Sequence, residues 1–154
     1  MTPLDALITA LAYVMRADST VSAAEHAQLV ALLSKHVDKG ELDKADVKKK
    51  LDNAFAFVDR MPFDQFMLTI QDIVTPGQAL SIYTNLCDAM YVDGSIAQGE
   101  RQILDAFRKH FEIDVNFGRI LQEVLMLRND TTMFTRMDHP CNEPGWKPSF
   151  MRNA

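Results

Sequence analysis

Apolar residues recur along most of this chain at intervals of three and four, and no stretch alternates apolar and polar residues at an interval of two. That spacing predicts an all-α protein, since a helix returns its inward face every 3.6 residues and a strand every second residue. Leu7, Ile8, Leu11, Val14 and Met15 form the first stripe. Thr2 and Pro3 introduce it as N-cap and first-turn residue, and it ends near Ala17. Ser22 and Glu25 have the spacing of a capping box, so a second helix is expected from Ala23 to about His36, with Leu29, Val30, Leu32 and Leu33 inward and Lys39-Gly40 as the stop.

The stripe Val47, Leu51, Phe55 and Val58 predicts a third helix, and Pro62 opens a short fourth that packs Phe63, Phe66, Met67 and Ile70. Thr75 and Pro76 start a fifth helix that runs to Tyr91, with Leu80, Ile82, Tyr83, Leu86 and Met90 near the core. Ile103, Leu104, Phe107 and Phe111 mark a sixth, and Asp114 caps a seventh whose inner face is read as Phe117, Ile120, Leu121, Val124 and Leu125. Periodicity fades from Asp130, and Pro140, Pro144 and Pro148 interrupt the remainder of the chain. The expected organisation is one domain of about seven helices over residues 1–136, followed by a flexible or loosely docked tail over 137–154.

Two acidic turns interrupt this helical text at matching places. Met15-Arg16-Ala17-Asp18 leads through Val21 to Glu25, and Met90-Tyr91-Val92-Asp93 leads through Ile96 to Glu100. Leu11 matches Leu86, Leu29 matches Leu104 and Ala31 matches Ala106 under the same offset. An internally duplicated helix pair accounts for the pattern, each copy a helix, an Asp-containing turn and a second helix that begins near a Glu.

Composition narrows the partners. The chain has 154 residues, 47 % of them hydrophobic and 24 % charged, which suits one globular domain without structural cross-links. A net charge of −5 without a basic stripe argues against nucleic acid. The run Lys48-Lys49-Lys50 lies among Asp43, Asp46 and Asp52 and reads as a solvated helix face. Cys87 and Cys141 stand apart and read as reduced thiols. The first residues lack a basic leader and no apolar run has bilayer length, so a cytoplasmic protein without a transmembrane segment is expected, with docking on a membrane surface left open.

The candidate chemistry lies in the acidic turns. Asp93, Gly94, Ile96 and Glu100 have the spacing of the later half of an EF-hand calcium loop, but the places of its earlier ligands fall on Ala89 and Tyr91, and in the first copy on Val14 and Arg16. A self-contained calcium loop is therefore not expected. If the duplication brings the half-loops together, Asp18, Glu25, Asp93 and Glu100 form one carboxylate cluster. The carboxylates of such a cluster cannot all stay ionised side by side unless a cation is bound, the alternative being protonation, and hard oxygen donors select Ca²⁺, Mg²⁺ or Mn²⁺. The competing interpretation is purely structural: Asp and Gly make turns, and a Glu in the first helical turn caps the helix and complements its dipole. His139 and Cys141 lack the further ligands of a zinc site, and His26 lacks the Glu-x-x-His spacing of di-iron bundles. No phosphate loop, nucleophile elbow or His-Glu-x-x-His is present, so no enzyme activity is expected.

The paired turns, Ala17-Asp18 through Glu25 and Val92-Asp93-Gly94-Ser95-Ile96 through Glu100, resemble those of the tellurite-resistance TerB family and its TerB-like relatives, over about Leu4 to Leu127. The resemblance implies an all-helical bacterial cytoplasmic protein of tellurite and general stress resistance. It further implies divalent-metal ligands at Asp18, Glu25, Asp93 and Glu100, and other stress-resistance proteins as partners, at or near the inner membrane. Ser19 stands where this family usually has Gly, and Ala97 where it usually has a small hydroxyl residue. An alternative within the same resemblance is a pure interaction module with no working metal site, as in the TerB-like domains of co-chaperones.

Overall fold

Pro3–Arg16, α1, is apolar on nearly every side: Ala6, Ile8, Thr9, Ala10, Leu11, Ala12, Tyr13, Val14 and Met15 are all buried. A helix without a polar face stays folded only if neighbours surround it. In the computed structural model, which describes residues 1–17, 21–91 and 98–152, α1 is the central helix. Around it stand α2 (Ala23–Asp38), α3 (Val47–Arg60), α4 (Phe63–Ile70), α5 (Pro76–Tyr91) and α6 (Gln98–His110), while α7 (Val115–Asn129) packs on the outer side of α5. The described residues contain seven α-helices and no strand. No helix among them is long and apolar enough to cross a membrane.

Local chemistry sets the helix ends. Thr2 and Asp5 form a reciprocal capping box at the start of α1, and Thr75 with Gln78 does the same before α5, with bonds of 2.9 and 3.1 Å. After α2 the chain reverses through Gly40, at φ +73°, with Glu41 N–H donating to the His36 carbonyl at 2.9 Å and Gly40 N–H to Val37 at 3.0 Å, a Schellman closure. The end of α6 is built the same way, with Ile113 N–H donating to the Arg108 carbonyl at 2.9 Å. There the left-handed position is Glu112, at φ 54°, in place of a glycine.

Tyr13 ties α1 to the α3–α4 corner. Its hydroxyl donates to the Met61 carbonyl at 2.5 Å, and its ring lies 5.0 Å from Phe63 and 5.1 Å from Phe66. Such aromatic contacts add to burial about 0.5–1.5 kcal/mol each.

Two helix faces differ from those read off the pattern. Leu80 on α5 is exposed, as are Phe117 and Val124 on α7, where only Gly118 and Leu125 are fully buried. The face of α7 turned to α5 carries Gly118, Gln122, Leu125 and Asn129, spaced by three and four. A Cβ on Gly118 would lie 2.5 Å from the Tyr83 hydroxyl oxygen, and the Asn129 amide donates to Asp88 of α5 at 3.1 Å. Close approach at a glycine and side-chain hydrogen bonds thus orient α7, not the width of its apolar arc. After α7 the chain forms three single 3₁₀ turns, Thr132–Phe134, Pro140–Asn142 and Ser149–Met151, and Ser149 N–H donates to the Glu123 carboxylate of α7 at 3.0 Å.

Candidate metal centre

Among the described residues only two charged side chains are buried, Glu25 at 5 % exposure and Glu100 at 6 %. Each is the third residue of its helix, Glu25 in α2 and Glu100 in α6. Burying a carboxylate is costly unless hydrogen bonds, a helix N-terminus or a cation compensates its charge. For Glu25 part of that compensation is local: its backbone N–H donates to the Ser22 hydroxyl at 3.0 Å, and its carboxylate accepts a long bond of 3.4 Å from Ser22 N–H. That is the capping box expected from the spacing.

The start of α6 is pressed against the end of α1. A Cβ added to Gly99 would lie 3.1 Å from the carbonyl oxygen of Ala17 and 3.6 Å from its methyl group. Glu100 therefore follows directly on a backbone contact with the last described residue before the first acidic turn. The sequence names Gly99 only as part of the second loop. Its packing role has a faint signature, a glycine in the first helical turn matched by an alanine at the end of α1.

Of the four predicted ligands, Glu25 and Glu100 are thus buried at equivalent helix positions on two helices that both touch α1. Asp18 and Asp93 lie outside the described residues, as does Ala97 at the N-cap position matching Ser22. No group of three or more potential ligands exists among the described residues. The donor set itself, carboxylate oxygen throughout, suits a hard divalent cation and not zinc.

The remaining candidates resolve into structural roles. His139 Nε2 is 2.8 Å from the Asp130 carboxylate, and its Nδ1 accepts from Cys141 N–H at 3.1 Å, so both ring nitrogens are engaged. Thr132, through its hydroxyl and its N–H, and then His139 hold the Asp130 carboxyl down at about 2. Cys87 is buried on α5 and its thiol is pushed up to about 12 by that burial, which keeps it protonated and unreactive near neutral pH. His26 is exposed on α2.

No curated protein and no solved structure gives a significant match to this chain. The family profile described as "Tellurite resistance protein TerB" does match, over residues 4–119. That span holds nearly the whole of α1, all of α2 to α6, both acidic turns and the first turn of α7, and on this ground the chain belongs to the TerB family.

Proposed function

We propose that this tellurite-resistance-type domain binds one divalent cation through Asp18, Glu25, Asp93 and Glu100, and acts in stress resistance through protein partners and not through turnover. The observation that carries the proposal is the burial of Glu25 and Glu100 at matching helix positions, the only buried charges among the described residues. Carboxylates from two helix starts and two acidic turns would supply a cation with oxygen donors, and the ion would offset the charge that packing has withdrawn from water. A cytoplasmic setting, with docking at the inner membrane surface, belongs to the same proposal.

The Ser22–Glu25 capping box favours a second interpretation, in which both glutamates serve only to start their helices and the domain is an interaction module. Phe134 at 86 % and Met137 at 93 % exposure, three residues apart beyond α7, would then contribute to a partner contact. Calorimetric titration with Ca²⁺, Mg²⁺ and Mn²⁺ separates the two. The metal proposal expects saturable heat with at least one cation, lost in Glu25→Gln, Glu100→Gln, Asp18→Asn and Asp93→Asn. Absence of binding, or binding that all four variants retain, leaves the interaction module.

A further inference from the structure

Beyond α7, residues 130–142 are closed into a loop by hydrogen bonds of their own. The Asp130 carboxylate accepts from the Thr132 N–H at 2.9 Å and from its hydroxyl at 2.6 Å, and lies 2.8 Å from His139 Nε2. Asn142 Nδ2 donates to the Met133 carbonyl at 2.7 Å and to the Arg136 carbonyl at 2.9 Å. The loop thus satisfies its polar groups internally and leaves its two large apolar side chains outward, Phe134 at 86 % and Met137 at 93 % exposure. A shape fixed before contact lowers the entropy lost on docking.

The same chain carries a groove of about 700 Å³ between α2 and α3. Val30 and Val37 of α2 and Val47, Leu51 and Phe55 of α3 line it, and Asp38, Lys44, Lys48 and Asp52 stand around them. Lys48 pairs with Asp52 at 3.1 Å, whereas Asp38 and Lys44 have no ion-pair partner among the described residues. Beside its apolar pair the loop likewise carries one charge of each sign, Arg136 and Asp138, 3.3 Å apart. At a net charge of −5, copies of this chain repel on average, so they meet most readily where both faces are locally balanced and their charges can be matched.

Position and area narrow the occupant further. Arg128 and Asn129, at the end of α7, line the same small cavity as Gln28, Leu32 and Lys35 of α2. The loop that follows them therefore leaves the fold beside α2, and the groove opens on the adjoining side of that helix. Phe134 and Met137 together offer on the order of 300 Å² of apolar surface, so one seated loop removes about 600 Å² from water in total. Specific interfaces begin at about 1,200 Å², which two such contacts reach. A two-fold pair supplies two, because it repeats every contact.

We propose that the groove between α2 and α3 receives the 130–142 loop of a second copy of this chain, in a reciprocal exchange. Phe134 and Met137 cover the apolar lining, Asp138 meets Lys44 and Arg136 meets Asp38. This deepens the interaction reading of the same two side chains and rests on it, but needs no bound cation.

Sedimentation velocity of the full chain with a chelator present, over micromolar to submillimolar concentrations, tests the proposal. A concentration-dependent dimer is expected. The double variant Phe134→Ser, Met137→Ser should weaken it at least about tenfold, with the melting temperature of the dilute chain unchanged because both positions are exposed. Val37→Lys, in the groove, should weaken it from the other side. In a mixture of ¹⁴N and ¹⁵N chains, a photo-crosslinking p-benzoylphenylalanine at position 134 should join isotopically different copies through α2 or α3. Association unaltered in the double variant, or cross-links that map outside α2 and α3, would overturn the exchange. A monomer at every concentration overturns the second copy as occupant, whereas the wider interaction reading stands or falls on binding to other proteins.

Discussion

The contact between Gly99 and Ala17 is a sharp test of how α6 is held, because a single methyl group probes it. A Cβ at residue 99 would lie 3.1 Å from the Ala17 carbonyl oxygen, about 0.3 Å inside the 3.4 Å at which ordinary contact begins. Gly99→Ala thus asks for a small shift, and the helix gains about 0.5–1 kcal/mol from replacing glycine, so the two effects nearly cancel. Gly99→Val adds two further methyl groups against the end of α1, where Ala17 already approaches within 3.6 Å. Overpacking of this kind costs about 1–3 kcal/mol. For a chain of this size the melting temperature should fall by roughly 3–8 °C. The assay is thermal unfolding followed by circular dichroism, with chelator and then with excess Ca²⁺, Mg²⁺ or Mn²⁺. Without cation, alanine should be close to wild type and valine clearly below it. If the proposed cation bridges Glu100 to the first turn, the valine variant also loses most of its cation-induced rise in melting temperature, because α6 has moved outward. A valine variant that melts with the alanine variant would refute the close packing of α6 on α1.

Gly118→Ala should destabilise by about 1–3 kcal/mol in denaturant unfolding despite its better helix propensity, since its Cβ would sit 2.5 Å from the hydroxyl of Tyr83, a ring buried to 1 % exposure. Glu112→Gly should instead stabilise by about 0.5–1 kcal/mol in the same assay, because residue 112 is at φ 54° and glycine takes that conformation without a Cβ penalty. Burial raises the Asp5 carboxyl, but its bonds from Lys50, 2.7 Å away, and from Thr2 outweigh this and bring it from 3.8 down to about 2. A depressed carboxyl stabilises the fold above its unfolded value and loses that contribution as pH falls. Melting temperatures should therefore drop between pH 3.8 and about 2, and Asp5→Asn should flatten the slope across that window.

All seven helices, and most of their ends, were legible from the residues. Thr2, Ser22, Thr75 and Asp114 announce helix starts through local chemistry that depends on only three or four residues, and Gly40 announces a stop. The second stop, at Glu112, was not legible, because its residue type carries no left-handed preference and only the fold imposes it. On α7 the apolar residues spread too widely to name one face. Gly118 and Gln122 look ordinary in sequence, yet they set the contact with Tyr83 that turns Phe117 and Val124 outward.

The sequence by itself determined an all-helical chain, a pair of acidic turns and four candidate carboxylates, because capping, periodicity and residue type are local properties. Tertiary structure alone decided that Glu25 and Glu100 leave water, that α6 begins against the end of α1, and that Asp88 gathers two amides beside a small cavity. Burial and juxtaposition depend on which helices meet. In this chain that is set by the packing of α2, α3, α5 and α6 around one largely buried, mostly apolar helix, through contacts between residues far apart in sequence.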